Sequence, residues 1–210
     1  MGIKPKLSSF LPFFPREDSL WNYSLLGGFR DFIGIDNYLR AIDDPIFWIS
    51  MQVTVVFALM KVPLQVLFAL ALELLVQREV LGMGIVRSAI FTPVVTSMMV
   101  VAIVWSMMYH AQQGLINSLL ATIGLSRVAF LSDPNNALPA ITLMSIWKDV
   151  GFSMIILLAG MKGIPDVYYE AAMIDGANRW TMFWHITLPL LKRVMLFVVV
   201  TQTIGALQVF

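Results

Sequence analysis

The fold is decided by residues 162–193, KGIPDVYYEAAMIDGANRWTMFWHITLPLLKR, a charged interruption in an otherwise apolar sequence. Pro165 and Asp166 predict the start of a helix, because proline is tolerated in the first turn and a carboxylate accepts hydrogen bonds from the free N–H groups there. Asp175 and Gly176 predict its end, since glycine adopts the left-handed conformation of a helix terminus at low cost. The segment therefore begins with one short helix.

A second amphipathic helix is predicted over residues 177–187, after which Pro189 marks a kink or the start of a new helix. An ordinary solvated loop between two membrane spans is the alternative interpretation. Most such loops are short, however, whereas this segment keeps helical periodicity and carries aromatic residues at both ends. The pattern favours a docking surface over a spacer.

The composition is that of an integral membrane protein. Of the 210 residues, 59% are hydrophobic and 13% charged, with a mean hydropathy of +0.80, whereas soluble domains are about one quarter charged. The net charge of +1 gives no argument for a nucleic-acid partner. Cysteine is absent, and the two histidines, His110 and His185, match no metal-ligand spacing. We therefore expect no resident cofactor and no bound metal.

Four hydrophobic spans are predicted, over residues 49–76, 85–109, 137–161 and 194–210. At a rise of about 1.5 Å per residue, the first three exceed the roughly 30 Å of membrane hydrocarbon, whereas the fourth barely reaches across it. Because the fourth span stops on the apolar run ALQVF, the chain is expected to be truncated.

The remaining sequence is organised around these spans. Residues 1–47 are predicted to form an N-terminal extracytoplasmic or interfacial segment that includes a reduced first span region, and residues 48–210 the transmembrane core. Residues 31–48 indicate an amphipathic surface element, and Asp44, followed by proline, indicates the start of the first span. A short helix is expected over residues 115–123, between the second and third spans.

Basic residues near the spans predict the orientation, because they concentrate in cytoplasmic loops. The loop after the first span offers Arg78 and Arg87, and residues 162–193 offer four basic side chains, whereas the loop after the second span offers only Arg127. The first two of these segments are therefore predicted to be cytoplasmic. The N-terminal region would then lie outside with five basic residues, which the rule disfavours, and a further N-terminal span would resolve the conflict.

The same segment resembles the EAA loop of ABC-importer permeases. The family pattern is EAA, three residues, glycine, nine residues and I-x-L-P, and the chain reproduces it from Glu170 to Pro189. EAA alone carries no signal in an alanine-rich protein, but the whole spaced pattern between two spans is specific. Other segments, such as VPLQVLFALALELL and FLSDPNNALPAITLMSIWK, are similar to the sugar-importer branch of maltose, glycerol-3-phosphate and multiple-sugar permeases. The resemblance covers about residues 30–210.

The resemblance implies an all-α polytopic membrane protein with the type I ABC importer permease fold, lacking the first and last spans. It also implies that residues 162–193 form a cytoplasmic coupling loop that seats in a groove on an ATPase. Small alanines would allow close approach, Glu170 would meet a basic partner, and Gly176 would let the chain fold back. The residues assigned to this coupling contact are Glu170, Ala171, Ala172, Asp175, Gly176, Ile186, Leu188 and Pro189.

The function implied is that of a non-catalytic permease subunit in the cell membrane, forming part of the translocation pathway for a carbohydrate or related small polar solute. Its implied partners are a second permease subunit, two copies of a cytoplasmic ATPase, an extracytoplasmic solute-binding protein and membrane lipid. The chain contains no G-x-x-x-x-G-K-[ST] phosphate-binding loop, so ATP is expected on the separate ATPase.

Polar side chains within the spans are candidates for a substrate path, because polar groups at membrane depth are costly and usually face the interior or a cavity. Trp147 could stack on a sugar ring while the others bond its hydroxyls. The alternative is a patch that holds the helices together. A structural role is favoured for Lys61, beside Pro63, and His185 is interpreted as a packed interface residue. The candidates for the path are Trp147, Lys148, Asp149, Ser153 and Gln202.

Two other functional classes remain open. An intramembrane enzyme would need a convergent acid–base or nucleophile set, but the sequence has no GxSxG, no HExxH and no acidic pair within the spans. A truncated, non-transporting membrane scaffold is kept open by the missing end spans. A permease for a non-sugar solute also stays open, because sugar is favoured by the branch resemblance alone.

Overall fold

The computed structural model describes residues 20–24, 28–78 and 80–209. The chain divides into two compact units, residues 1–53 and 54–210. The predicted segment over residues 1–47 lies partly outside the described residues.

In the first unit, a small antiparallel hairpin precedes a short helix. Strand β1 (Trp21–Ser24) pairs with β2 (Gly28–Phe32), and Trp21 stands opposite Phe32 with the two rings 5.4 Å apart. Helix α1 (Asp36–Asp43) falls within the predicted amphipathic element. The hairpin was not predicted from the sequence, because strands of four and five residues offer too few positions for an alternating pattern to be detected.

The rest of the described chain consists of helices and the loops that connect them. Three stretches are long and apolar enough to cross a membrane: Pro45–Val76, Pro134–Lys162 and Arg179–Leu207. As predicted, the first begins after Asp44, whose Oδ1 accepts a hydrogen bond of 2.9 Å from the Ile46 N–H. The helices are α2 (Pro45–Val76), α3 (Met83–Val95), α4 (Met98–Met108), α5 (Leu115–Thr122), α6 (Pro134–Lys162), α7 (Val167–Ile174), α8 (Arg179–Met182) and α9 (Leu188–Leu207), and a π-helical segment, Phe183–Thr187, joins α8 to α9.

The second predicted span differs from a single straight helix. Helices α3 and α4 form a bent pair at an angle of 98°. Pro93 has no N–H for the helical ladder, and Thr96 and Ser97 adopt extended ψ values of 139° and 134°. The pair is therefore a broken span or a re-entrant loop, with its bend at residues 96–97.

The last span begins earlier than predicted. Helix α9 starts at Leu188 rather than near Val194, and Pro189 lies in its first turn. The N–H of Leu188 bonds to the carbonyl of Phe183, five residues back, as in a π-helix. This wider turn accommodates Pro189, which has no N–H to donate. Helical structure therefore continues through the proline.

Helices α2 and α6 run parallel in a fixed register. Lys61 bonds to Asp149 and Gln65 bonds to Ser153, and both pairs are separated by 88 residues. A step of four residues along α2 thus matches a step of four along α6, in the same direction. The buried apolar core lies between α2, α6 and α9 and contains Ala69, Val76, Ile146, Val150, Met154, Leu157, Leu191 and Val198.

Two glycines of α6 set its distance from neighbouring helices. A Cβ on Gly151 would overlap the backbone carbonyl of Ile90 in α3. A Cβ on Gly160 would lie 2.9–3.0 Å from side-chain carbons of Val194 and Leu191 in α9. Small residues at these points let the helices approach closely, as is common between membrane helices.

The loop between α4 and α6 is organised by Asn117. This side chain is fully buried in α5, and its Oδ1 accepts a 2.8 Å hydrogen bond from the Val128 N–H. Its Nδ2 donates to the carbonyl groups of His110, Ala111 and Val128 at 2.9–3.3 Å. Helix α5 itself matches the helix predicted over residues 115–123.

Candidate functional site

Helix α7 ends just before Gly176, as predicted, and its end forms a Schellman motif. The Ala177 N–H bonds to the Ala172 carbonyl at 2.9 Å, and the Gly176 N–H bonds to the Met173 carbonyl at 3.1 Å. Gly176 has a φ of +78°, and a Cβ there would meet nothing within 4 Å. The glycine is therefore required by backbone conformation, not by lack of space.

Helix α5 has the same length and the same ending. It also contains eight residues, and Leu125 and Gly124 donate to the carbonyls of Leu120 and Ala121 at 2.9 and 3.1 Å. Gly124 has a φ of +80°, again with open space around it. The C-terminal ends of α5 and α7 therefore have the same backbone hydrogen bonds and the same glycine conformation.

The turn from α7 to α8 is closed by a cap that the sequence analysis missed. The Oδ1 of Asn178 accepts hydrogen bonds from the N–H and the hydroxyl of Thr181, at 2.8 and 3.0 Å. Asparagine is a preferred N-cap, so this signal was available in the sequence. Asp166 occupies the N-cap position of α7 as predicted, but its carboxylate makes no capping hydrogen bond.

A second contact joins α7 to the base of the last span. The hydroxyl groups of Tyr169 and Thr187 lie 3.0 Å apart, and Thr187 is buried. The contact connects α7 to the π-helical segment that leads into α9. His185 of that segment, expected to pack in an interface, is exposed in this chain, and its Nδ1 lies 3.0 Å from the Thr181 carbonyl oxygen.

The predicted coupling residues form an accessible surface. Glu170, Ala171, Asp175, Gly176 and Pro189 are exposed, whereas Ala172, Ile186 and Leu188 are half-buried. Large apolar side chains beside them are also exposed, among them Ile174 at 86% and Trp180 at 69%. A patch of exposed apolar side chains on one segment is typical of an interaction site. The assignment of individual coupling residues stays a prediction.

A chain of charged side chains links α2, α6 and α3. Lys61 and Asp149 form an ion pair of 2.7 Å, and Lys61 is only 3% exposed. Lys148 lies 3.9 Å from the other oxygen of Asp149 and donates a hydrogen bond of 3.2 Å to the Val94 carbonyl. That carbonyl is at the end of α3, next to the bend. The ion pair of Lys61 with Asp149 was not predicted, because the sequence alone does not show that these two spans are adjacent.

Three helices meet at the Ser153 hydroxyl. It accepts hydrogen bonds from the side-chain amides of Gln65 in α2 and Gln202 in α9, at 3.1 and 3.2 Å. All three side chains are buried, and the Gln65 Oε1 has no hydrogen-bond partner within the described residues. Ser153 and Gln202, both predicted for the substrate path, are thus in contact, and the sequence analysis missed Gln65.

Trp147 lies apart from these polar groups. It is 44% exposed, its ring is 5.5 Å from that of Trp105, and it lines an apolar cavity of about 490 Å³ with residues of α3. The five candidates for the path therefore occupy three places. Trp147 lines the cavity, Lys148 and Asp149 belong to the charged group, and Ser153 and Gln202 are hydrogen-bonded to each other in the interior. Their role in binding solute stays a prediction. Where side chains are described, no group of three or more His, Cys, Asp or Glu could hold a metal ion.

Fold and site together define a polytopic helical membrane protein with an accessible helix–turn–helix segment at the base of its last span. The chain belongs to the family of binding-protein-dependent transport system inner membrane components, whose model matches residues 44–210. Family membership and the predicted helical ABC importer permease fold are thereby confirmed.

Relatives and solved structures agree with this assignment. The trehalose/maltose transport system permease protein of Thermococcus litoralis is 38% identical over 86% of this chain. The lactose transport system permease protein of Rhizobium radiobacter is 36% identical over 90% of it. The chain spans 61% and 64% of the length of these two relatives. A bacterial ABC transporter involved in the import of the acidic polysaccharide alginate matches with a TM-score of 0.77 and 28% identity, over 98% of this chain and 71% of the matched chain.

Proposed function

We propose that this chain is the permease subunit of an ATP-driven importer for a carbohydrate or related small polar solute. It would work with a second permease subunit, two copies of a cytoplasmic ATPase that binds and hydrolyses ATP, and an extracytoplasmic solute-binding protein. The observation that carries the proposal is the accessible, glycine-terminated helix α7 beside the last span of a transport-family protein. The chain itself would be non-catalytic.

The solute class rests on the relatives. Those named for trehalose and maltose and for lactose are more than one third identical to this chain, and a transporter of similar structure imports a polysaccharide. Disaccharides are therefore the first solutes to test. We expect uptake of radiolabelled maltose, trehalose or lactose, and no uptake of a labelled amino acid, by cells that express the full transport system. Transport of the amino acid instead would contradict the sugar assignment.

In the proposed complex, α7 docks in a groove of the ATPase. Exposed Ala171 allows close backbone approach, Glu170 pairs with a basic side chain, and Ile174 supplies an apolar anchor. The Schellman motif then turns the chain away from the ATPase, towards α8. Docking would place the whole 162–193 segment on the cytoplasmic side of the membrane.

Movement of the ATPase would reach the spans through direct contacts. The Tyr169–Thr187 hydrogen bond connects α7 to the base of α9, and the close contact at Gly160 connects α9 to α6. Gly151 then packs α6 on the backbone of α3. When the two ATPase copies close, α7 would be pushed and the spans would rock around the solute path.

Solute contact is proposed first for the more accessible candidates. The exposed ring of Trp147 would stack on a sugar face, and Lys148 and Asp149, with side chains 15% and 29% exposed, would exchange their mutual contacts for solute hydroxyls. Ser153 and Gln202 are buried between helices, so they would contact solute only if α2, α6 and α9 separate.

The coupling role is tested with matched glycine variants of the full transport complex. Gly176→Val and Gly124→Val place a β-branched residue at φ values of +78° and +80°, in identical motifs with open space. The left-handed conformation costs roughly 1–2 kcal/mol for such residues, so both helix ends are strained alike. We expect Gly176→Val to lower ATPase co-purification or solute-stimulated ATP hydrolysis about tenfold, and Gly124→Val to leave both close to wild type. Equal effects of the two substitutions would refute the coupling role.

A further inference from the structure

A groove of about 570 Å³ lies between the end of α2, the end of α6 and the α8 segment. Leu74 and Met161 contribute apolar side chains, Trp180 and Phe183 contribute aromatic rings, and Arg78 and Arg179 contribute positive charge. Tyr169 and Thr187, which connect α7 to the base of α9, also line this groove. The ATPase contact proposed for Glu170, Ala171 and Ile174 lies outside it and does not explain its basic and aromatic lining.

Among the described residues, no acidic side chain pairs with the two arginines of the groove. Both are exposed, and among the described residues neither guanidinium forms an ion pair or a hydrogen bond. None of the described side chains that line the groove is acidic. The neighbouring Arg87, in contrast, donates hydrogen bonds of 3.1 and 2.7 Å to the Val76 carbonyl at the end of α2. Arg78 and Arg179 are thus available for an anionic ligand.

The position of the groove indicates where that anion comes from. Because α2 and α6 run parallel, their last residues, Val76 and Lys162, lie on the same side of the membrane. The ends of spans lie at the level of lipid headgroups, where tryptophan is enriched, and Trp180 is 69% exposed there. Basic clefts between spans at this level bind anionic headgroups, since the arginine fork matches the geometry of phosphate.

We propose that this groove binds the phosphate of an anionic phospholipid. Arg78 and Arg179 hold the phosphate, Trp180 and Phe183 pack on the glycerol region, and Leu74 and Met161 contact the upper acyl chain. The lipid then bridges the end of α2 and the α8 segment. This assignment is independent of the solute, because it concerns the membrane-facing base of the spans.

Fluorescence quenching in reconstituted full complexes tests the site. Complexes are placed in phosphatidylcholine vesicles that contain a small fraction of brominated phosphatidylglycerol or brominated phosphatidylcholine, and the signal of Trp180 is isolated as the difference from Trp180→Phe. We expect the brominated anionic lipid to quench Trp180 more strongly. A basic residue near the membrane surface contributes about 1 kcal/mol to the binding of anionic lipid. Each of Arg78→Ala and Arg179→Ala should therefore lower the preference for the anionic over the neutral lipid about fivefold.

Two controls make the outcome decisive. Arg193→Ala removes an exposed charge from the same segment but outside the groove, and it should leave the lipid preference unchanged. Arg78→Lys/Arg179→Lys keeps the charge without the planar fork and should retain part of the preference, which separates ligand loss from misfolding. Equal quenching by the two lipids, or an equal loss in Arg193→Ala, would overturn the site. Reversal by millimolar inorganic phosphate or glycerol phosphate would show that the ligand is a free anion, which would overturn the lipid assignment.

Discussion

Lys61 and Asp149 form a 2.7 Å ion pair between two helices that are each long enough to cross a membrane. Their environments are unequal. Lys61 has this one carboxylate as ion-pair partner among the described residues, whereas Asp149 also lies 3.9 Å from Lys148. Removing one partner of a buried pair is costly because it leaves an uncompensated charge. Neutralising Lys61 and neutralising Asp149 should therefore change the stability of the protein by different amounts.

We expect Asp149→Asn to destabilise the protein by about 3 kcal/mol and Lys61→Met by clearly less, because Lys148 still neutralises Asp149 in the second variant. The double variant should recover most of the loss. Thermal unfolding of the detergent-solubilised complex measures all three. Equal losses for both single variants would mean that Lys148 does not compensate the carboxylate.

Lys148→Met is expected to loosen the bend between α3 and α4. The ammonium group donates to the Val94 carbonyl, which no longer has a helical partner where Thr96 and Ser97 become extended. A hydrogen bond from a charged group contributes roughly 1.5–3 kcal/mol. Hydrogen exchange at residues 95–98 should accelerate about tenfold, as expected for the low end of that range. Lys192→Met, which removes an exposed charge elsewhere, should leave exchange there unchanged.

Tyr169→Phe is expected to uncouple the ATPase without releasing it. The substitution removes the hydroxyl that bonds Thr187, while the exposed surface of α7 stays intact. We expect normal ATPase co-purification and a reduced stimulation of ATP hydrolysis by solute-loaded binding protein, with a stability loss of about 1 kcal/mol. Tyr168→Phe is the control, since this neighbouring tyrosine is 51% exposed. A normal stimulation in Tyr169→Phe would exclude the contact as part of the coupling path.

Three glycine-to-alanine variants should differ in stability according to the atoms that the added methyl group contacts. Gly151→Ala overlaps the rigid backbone of Ile90 and should cost about 3 kcal/mol, the upper end for overpacking. Gly160→Ala meets side chains of Leu191 and Val194 that can adjust, so about 1 kcal/mol is expected. Gly205→Ala, within α9 and with nothing within 4 Å, should be neutral or stabilising by up to about 1 kcal/mol. Unfolding measurements that reverse this order would contradict the helix spacings.

Local features were predicted well because they depend on local chemistry. The end of α7 at Gly176 and the start of α2 after Asp44 follow from the conformations that glycine and proline allow. The spans follow from apolar length. The bend at residues 96–97 was not predicted, because a proline and a few polar residues within an apolar stretch do not by themselves show that a span is broken.

Contacts between distant parts of the chain could not be predicted. Lys61 and Gln65 were visible as polar residues in a span, but their partners lie 88 residues away. A single sequence does not show which residues of α2 face which residues of α6, so these partners become visible only in the structure. The same holds for Tyr169 and Thr187, whose contact arises only because α7 folds back on the π-helical segment.

The common 88-residue offset of the two hydrogen bonds means that both of them fix the same register between α2 and α6. Sliding one helix past the other by a single turn, about 5.4 Å, would set Lys61 against Ser153 and leave Asp149 facing the apolar ring of Phe57. A step in the opposite direction would set Lys61 against Ser145 and Asp149 against Gln65, and either step would break the Lys61–Asp149 ion pair. In the proposed transport cycle, a movement of α2 along the axis of α6 would therefore require the Lys61–Asp149 pair to break.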